Sequence, residues 1–230
     1  MRPVFIFSAT PHQSLTISDF FGRADLRKIL EAPHELRPDG WDLHTTDTMR
    51  VGDGPCLELG TLEYKLVRLF EDGTLLARVF GDEHFLAWAS SGPRIQLNPI
   101  ALIEFVYNFV STWKQVLELS EEQPKAVRFL VTITGAKDNN DAARTLVLPP
   151  YGANSGVFTR GVGAREAPMD SMQPELDVPA DVVVGRPGRA AYLLAERIYL
   201  AFGHTTDVVP YVTLDGVDRA IDPNLLFTKK

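Results

Sequence analysis

The chain has 230 residues, with 23 lysines and arginines against 30 aspartates and glutamates, so its formal net charge is −7. An acidic chain lacks the positive field that sequence-independent nucleic-acid binding uses to release counterions. A single cysteine, Cys56, excludes an intramolecular disulfide and fits a reducing compartment, and no run of about 18 apolar residues reads as a membrane span, so the expectation is a cytoplasmic protein.

The N-terminus, MRPVFIFSATPHQS, carries a short apolar run interrupted by Pro3 and Pro11, without the long apolar core of a signal peptide. Ser18 can cap a helix over DFFGRADLRKILE. Residues 1–36 therefore read as a peripheral N-terminal arm, followed by a turn at Arg37-Pro38-Asp39-Gly40. From Trp41 to Ala89 the pattern is β. LEYKLVRLF (62–70) and TLLARVF (74–80) flank Asp72-Gly73, a strong hairpin dipeptide because glycine accepts positive φ. HFLAWA (84–89) reads as a further strand, and Cys56 as a small residue opening one after the turn at Gly52-Asp53-Gly54-Pro55.

Residues 98–119 predict an amphipathic helix with Asn98 as N-cap and Pro99 at its first position. Leu102, Ile103, Phe105, Val106, Phe109, Val110, Trp113, Val116 and Leu117 share one arc at 100° per residue. Glu104, Asn108, Ser111, Thr112, Lys114, Gln115 and Glu118 fall outside it and read as a solvated face. AVRFLVTIT (126–134) is an evident strand. Residues 136–178 form a long Gly/Pro/Asp-rich loop region, of the kind that carries binding residues in a compact domain. Residues 181–184 suggest a short strand. Residues 187–202 predict a second helix closed by Gly203. Its Leu193 and Leu200 lie beside Arg189, Glu196 and Arg197, away from its main apolar face, and mark a contact with another layer or another protein. An Asp215-Gly216 turn and a helical turn from Asp222-Pro223 end the chain. The fold class that follows is α+β: an antiparallel β meander packed against two main amphipathic helices, with residues 37–230 as one domain.

No intact catalytic constellation stands out. Gly161-Val162-Gly163 begins like a dinucleotide fingerprint, but Glu166 occupies the third glycine's place. The five histidines show no zinc-ligand spacing, and Gly152-Ala153-Asn154-Ser155-Gly156 is not a nucleophile elbow. Glu63-Tyr64-Lys65 has the Glu-x-Lys shape of a PD-(D/E)XK nuclease. In such a site two carboxylates hold Mg²⁺ and the lysine positions a water; Asp39, Asp42, Asp47 or Asp53 would supply the upstream carboxylate. In a surface hairpin the same residues are simply the solvated side of a strand, with Leu62, Tyr64 and Leu66 inward. Trp41, Trp88 and Trp113 read as core.

Several phrases, taken in order, resemble a known family. They are Arg37-Pro38-Asp39-Gly40-Trp41-Asp42-Leu43, Asp72-Gly73-Thr74-Leu75, Phe85-Leu86-Ala87-Trp88, residues 98–110, residues 195–203, Val209-Pro210-Tyr211 and Ala220-Ile221-Asp222. Their order is similar to the C-terminal region of certain bacterial proteins that carry an AlbA/Schlafen-type DNA-binding domain in front, a domain that residues 1–36 do not resemble. The resemblance covers about residues 37–225 and implies a sensor or interaction module in a regulatory or defence setting; it assigns no functional residue. The expectation is thus a non-enzymatic module without a cofactor that binds a partner protein or a small anionic ligand. The 136–178 loop is its recognition surface, with Arg160 and Arg165 as anion contacts. Two alternatives stand beside it: an Mg²⁺-dependent nuclease using Glu63, Lys65 and Asp53, and a structural subunit of an oligomer joined through Leu193 and Leu200.

Overall fold

The structure, a computed structural model, describes residues 2–88, 94–138, 141, 144–150 and 163–227. In chain order the elements are β1 (Val4–Pro11), α1 (Ala24–Glu31), β2 (Arg50–Val51), β3 (Cys56–Gly60), β4 (Leu66–Phe70), β5 (Leu75–Phe80), α2 (Pro99–Leu117), β6 (Ala126–Thr134), β7 (Val147–Leu148) and β8 (Arg165–Glu166). Then follow β9 (Glu175–Pro179), α3 (Ala180–Gly185), α4 (Pro187–Ala201), β10 (Val212–Asp215), β11 (Asp218–Ile221) and α5 (Pro223–Phe227). The architecture is α+β: a seven-stranded antiparallel sheet of order β2-β3-β4-β5-β1-β6-β9, with helices on one face. No described helix is long and apolar enough to cross a membrane.

The first strand departs most from the sequence reading. Residues 4–11 are not a peripheral arm: β1 is an interior strand, paired with β5 on one side and β6 on the other. Its prolines do not prevent this. Pro3 precedes the strand and Pro11 ends it, where a missing N–H removes little from the ladder. Phe5, Phe7 and Ala9 alternate onto the helix side and are fully buried. There Phe7 meets Phe105 at 4.9 Å and Phe109 at 5.7 Å between ring centroids, and Trp113 meets Phe129 of β6 at 6.2 Å.

Helix α2 forms where its sequence places it. The Asn98 side chain accepts hydrogen bonds from the backbone N–H of Ile100 at 2.9 Å and Ala101 at 3.3 Å, satisfying two of the first orphan donors. Its apolar arc is the centre of the core. The polar arc differs from expectation, because Glu104, Asn108, Ser111 and Thr112 are buried too. The helix lies between the sheet and a second layer, built from α1, α3, α4 and the segment 32–44. That segment supplies polar partners for three of the four, Glu104, Asn108 and Thr112. His34 Nδ1 lies 3.0 Å from Asn108 Oδ1, and the His34 N–H donates to Thr112 Oγ1 at 3.1 Å. Asn108 Nδ2 donates to the Trp41 carbonyl at 2.9 Å, and Arg37 pairs with Glu104. Gly40 comes so close that a Cβ there would meet Glu104 Oε1 at 2.1 Å.

Other local readings also shift. The first helix starts at Ala24 rather than near Ser18, whose hydroxyl instead donates to Glu121. Residues 84–88 make turns, not a strand, and Trp88 is 56% exposed against the edge of Trp41. Residues 180–185 are the short helix α3 rather than a strand, an ambiguity that a four-residue apolar run cannot resolve. The Asp72-Gly73 and Asp215-Gly216 turns form with glycine φ of +88° and +68°. Gly203 closes α4 at φ +79°.

Candidate interaction surface

The sequence-predicted catalytic residues do not share a site. β4 begins only at Leu66, so Glu63 and Tyr64 occupy the preceding turn, where they are exposed. Lys65 turns inward. Its Nζ donates to the Asp42 carbonyl at 2.8 Å and the His44 carbonyl at 2.7 Å, and lies 3.5 Å from Asp42 Oδ1. Burial pushes its pKa down, with Asp42 opposing. The lysine thus clamps the 42–44 backbone to the β3–β4 turn. Asp53 lies exposed in the β2–β3 turn, where its carbonyl accepts from the Cys56 thiol. Cys56 itself is buried, which pushes its thiol pKa up. Among the described residues no three His, Cys, Asp or Glu side chains gather as a metal site. An exposed Glu63 and a Lys65 committed to two carbonyls do not fit the Mg²⁺ arrangement.

Arg160 lies outside the described residues. Arg165 is exposed in the short β7–β8 ladder, and its charge acts on His204. His204 is buried, with Nε2 2.8 Å from the Leu148 carbonyl. A carbonyl only accepts, so Nε2 carries the proton. Burial holds the ring's pKa below its ordinary value; Arg165 adds to this and the Leu148 bond opposes it. The unfolded chain therefore takes up a proton near pH 6.5 that the folded chain resists, so this contribution is present above that pH and lost as pH falls below it. The denaturation midpoint is expected to fall more steeply in the wild type than in His204→Gln from about pH 7.5 to about pH 5.5. Parallel profiles would refute the assignment.

The predicted interface leucines are separated by burial. Leu193 packs against the core, while Leu200 is 40% exposed. Two clefts are also accounted for by their own residues. A cleft of about 320 Å³ beside the start of α4 contains Arg186 and Arg189, but both pair with Asp218, at 2.9 and 3.5 Å. The other, of about 350 Å³, holds Arg2 and Asp82, which pair at 2.5 Å.

A further chemically organised surface is the side of the sheet away from the core. Alternation places Val4, Ile6, Ser8 and Thr10 of β1 there, with Leu76 and Arg78 of β5 and Arg128, Leu130 and Thr132 of β6. None of these nine is fully buried. The β2–β5 side is cationic. Glu58 is buried between Arg50 and Arg68, and these two bonds outweigh its desolvation to hold its carboxyl below the usual range. Arg78 has no carboxylate partner among the described residues; it donates to the Leu62 carbonyl and lies over the Phe80 ring at 4.6 Å. Arg2 covers the same ring at 3.7 Å. The β9 side is acidic: Asp177 holds both Arg128 and His12, and Glu175 has no ion pair among the described residues.

This surface is absent from the sequence reading, although the signal existed in part. AVRFLVTIT alternates, which identifies most of its off-core residues but not its neighbours, while Val4-Phe5-Ile6-Phe7 is apolar throughout and does not show which side faces the core. Comparison with known proteins finds no matching family model, curated protein or solved structure.

Proposed function

We propose that the protein is a non-enzymatic recognition module that acts by protein–protein contact through the open face of its sheet. The observation that carries this is the composition of that face. A half-exposed apolar centre of Ile6, Leu76 and Leu130 is bordered by arginines on one side and carboxylates on the other, the core-and-rim anatomy of a specific interface. A protein partner suits it better than a nucleic acid. The chain carries a net charge of −7, and the Phe80 ring that a base would stack on is already covered by Arg2 and Arg78. The resemblance to modules that neighbour a DNA-binding domain supports the same class of role. The recognition site is placed on the face of the sheet, to which the 136–178 region contributes only its last residues, as β9, because there apolar and charged groups are ordered in rows.

Affinity capture from the source cells, with the tagged chain as bait, is expected to return a stoichiometric partner, either another protein or the untagged chain. Leu130→Glu should reduce recovery by roughly tenfold or more, as burying a charge at an interface centre does. Leu200→Glu, away from the face, should leave recovery unchanged. Equal recovery with Leu130→Glu, or equal loss with Leu200→Glu, refutes the placement.

A further inference from the structure

We propose that the partner on the open face is a second copy of this chain, packed face to face about a two-fold axis that runs along β1; this rests on the open face being an interaction surface. The basis is one row of cross-strand neighbours, Arg68–Leu76–Ser8–Leu130–Glu175, fixed by the registers of β4, β5, β1, β6 and β9. Read outward from Ser8, the row is symmetric in apolarity and opposite in charge. Leucine follows on both sides, then arginine on one side and glutamate on the other.

A two-fold axis parallel to β1 inverts the strand order between facing copies while keeping the height along the strands. Leu76 of one copy then opposes Leu130 of the other, and Arg68 opposes Glu175, twice by symmetry. This is the self-complementarity an isologous interface requires. Neither charge is fully matched within its own copy, although Arg128 acts on Glu175 at longer range. Arg68 shares the single carboxylate of Glu58 with Arg50, and Glu175 has no ion pair among the described residues. The small Ser8 on the axis lets the two sheets approach to about the usual 10 Å.

The area is sufficient. Seven strands about 4.8 Å apart, averaging about six residues at ~3.4 Å per residue, give a face of roughly 30 by 20 Å. That is roughly 600 Å² in projection and more as accessible surface, on the scale of the ~800 Å² per partner of a standard specific interface.

Sedimentation velocity on the full chain is expected to show a species near twice 25.5 kDa that dissociates as salt rises. Glu175→Lys should weaken self-association roughly tenfold, by replacing two attractive pairs with two repulsive ones. Leu130→Glu should weaken it by roughly a hundredfold. Ser8→Cys should cross-link to its own copy with a short bismaleimide, because a residue on a two-fold axis meets itself and Cys56 is buried away from reagent. A wild type that stays monomeric at every concentration tested, or a dimer that ignores Glu175→Lys and Leu130→Glu, overturns the inference. If the wild type is monomeric but Leu130→Glu still abolishes capture of another protein, the second-copy inference falls and the open face stands. If neither self-association nor capture responds, both fall.

Discussion

Deletion of residues 1–12 is expected to leave no cooperatively folded protein. The segment contains β1, and without it β5 and β6 each lose an antiparallel partner at the middle of the sheet. Phe5 and Phe7 are fully buried, and a single Phe→Ala at such a site costs about 3–5 kcal/mol. Two such losses, added to the broken ladder, reach the whole stability of a typical domain, about 5–15 kcal/mol. Phe7→Ala alone should lower stability by about 3–5 kcal/mol, because its ring contacts both Phe105 and Phe109 of α2. Circular dichroism with thermal melting distinguishes the outcomes. A truncated chain that still melts sharply would restore the peripheral-arm reading and remove β1 as the centre of the sheet.

Arg37→Ala is expected to destabilise the protein by about 3 kcal/mol. Glu104 is 1% exposed, and its carboxylate accepts from Arg37 Nε at 3.1 and 3.2 Å and from Nη2 at 3.1 Å. Removing one member of a buried pair costs about 3–5 kcal/mol because the remaining charge is left uncompensated. The lower end applies here, since the Arg37 side chain is 41% exposed and water screens part of the interaction. Replacing both residues, Arg37→Met with Glu104→Leu, should recover much of the loss, as the desolvation cost of both ions disappears together. Equilibrium urea unfolding of the two single variants and the double variant measures this. Additive losses would mean that the pair does not couple segment 32–44 to α2.

The parts of this protein that were legible from sequence are those decided within a few residues. Asn98 and Pro99 start α2 through their own backbone chemistry, and Gly203 ends α4 because glycine tolerates a φ of +79°. Asp72-Gly73 and Asp215-Gly216 turn the chain for the same local reason. The apolar arc of α2 announced its burial because a 3.6-residue period is a property of the segment alone.

What remained hidden is decided by residues distant in the chain. The same helical period placed Glu104 and Asn108 on a polar arc, and polarity implied water. Only the packing of segment 32–44 shows that Arg37, His34 and the Trp41 backbone take the water's place. Glu63 and Lys65 were alike in a linear pattern; the fold exposes one and buries the other against Asp42 and His44. The apolar run of β1 was visible, but its position between β5 and β6 depends on pairings made some 70 and 125 residues away. The open face follows from those pairings. Arg68, Leu76, Ser8, Leu130 and Glu175 come from five strands, and strand order and register, which no local propensity encodes, set them in one row.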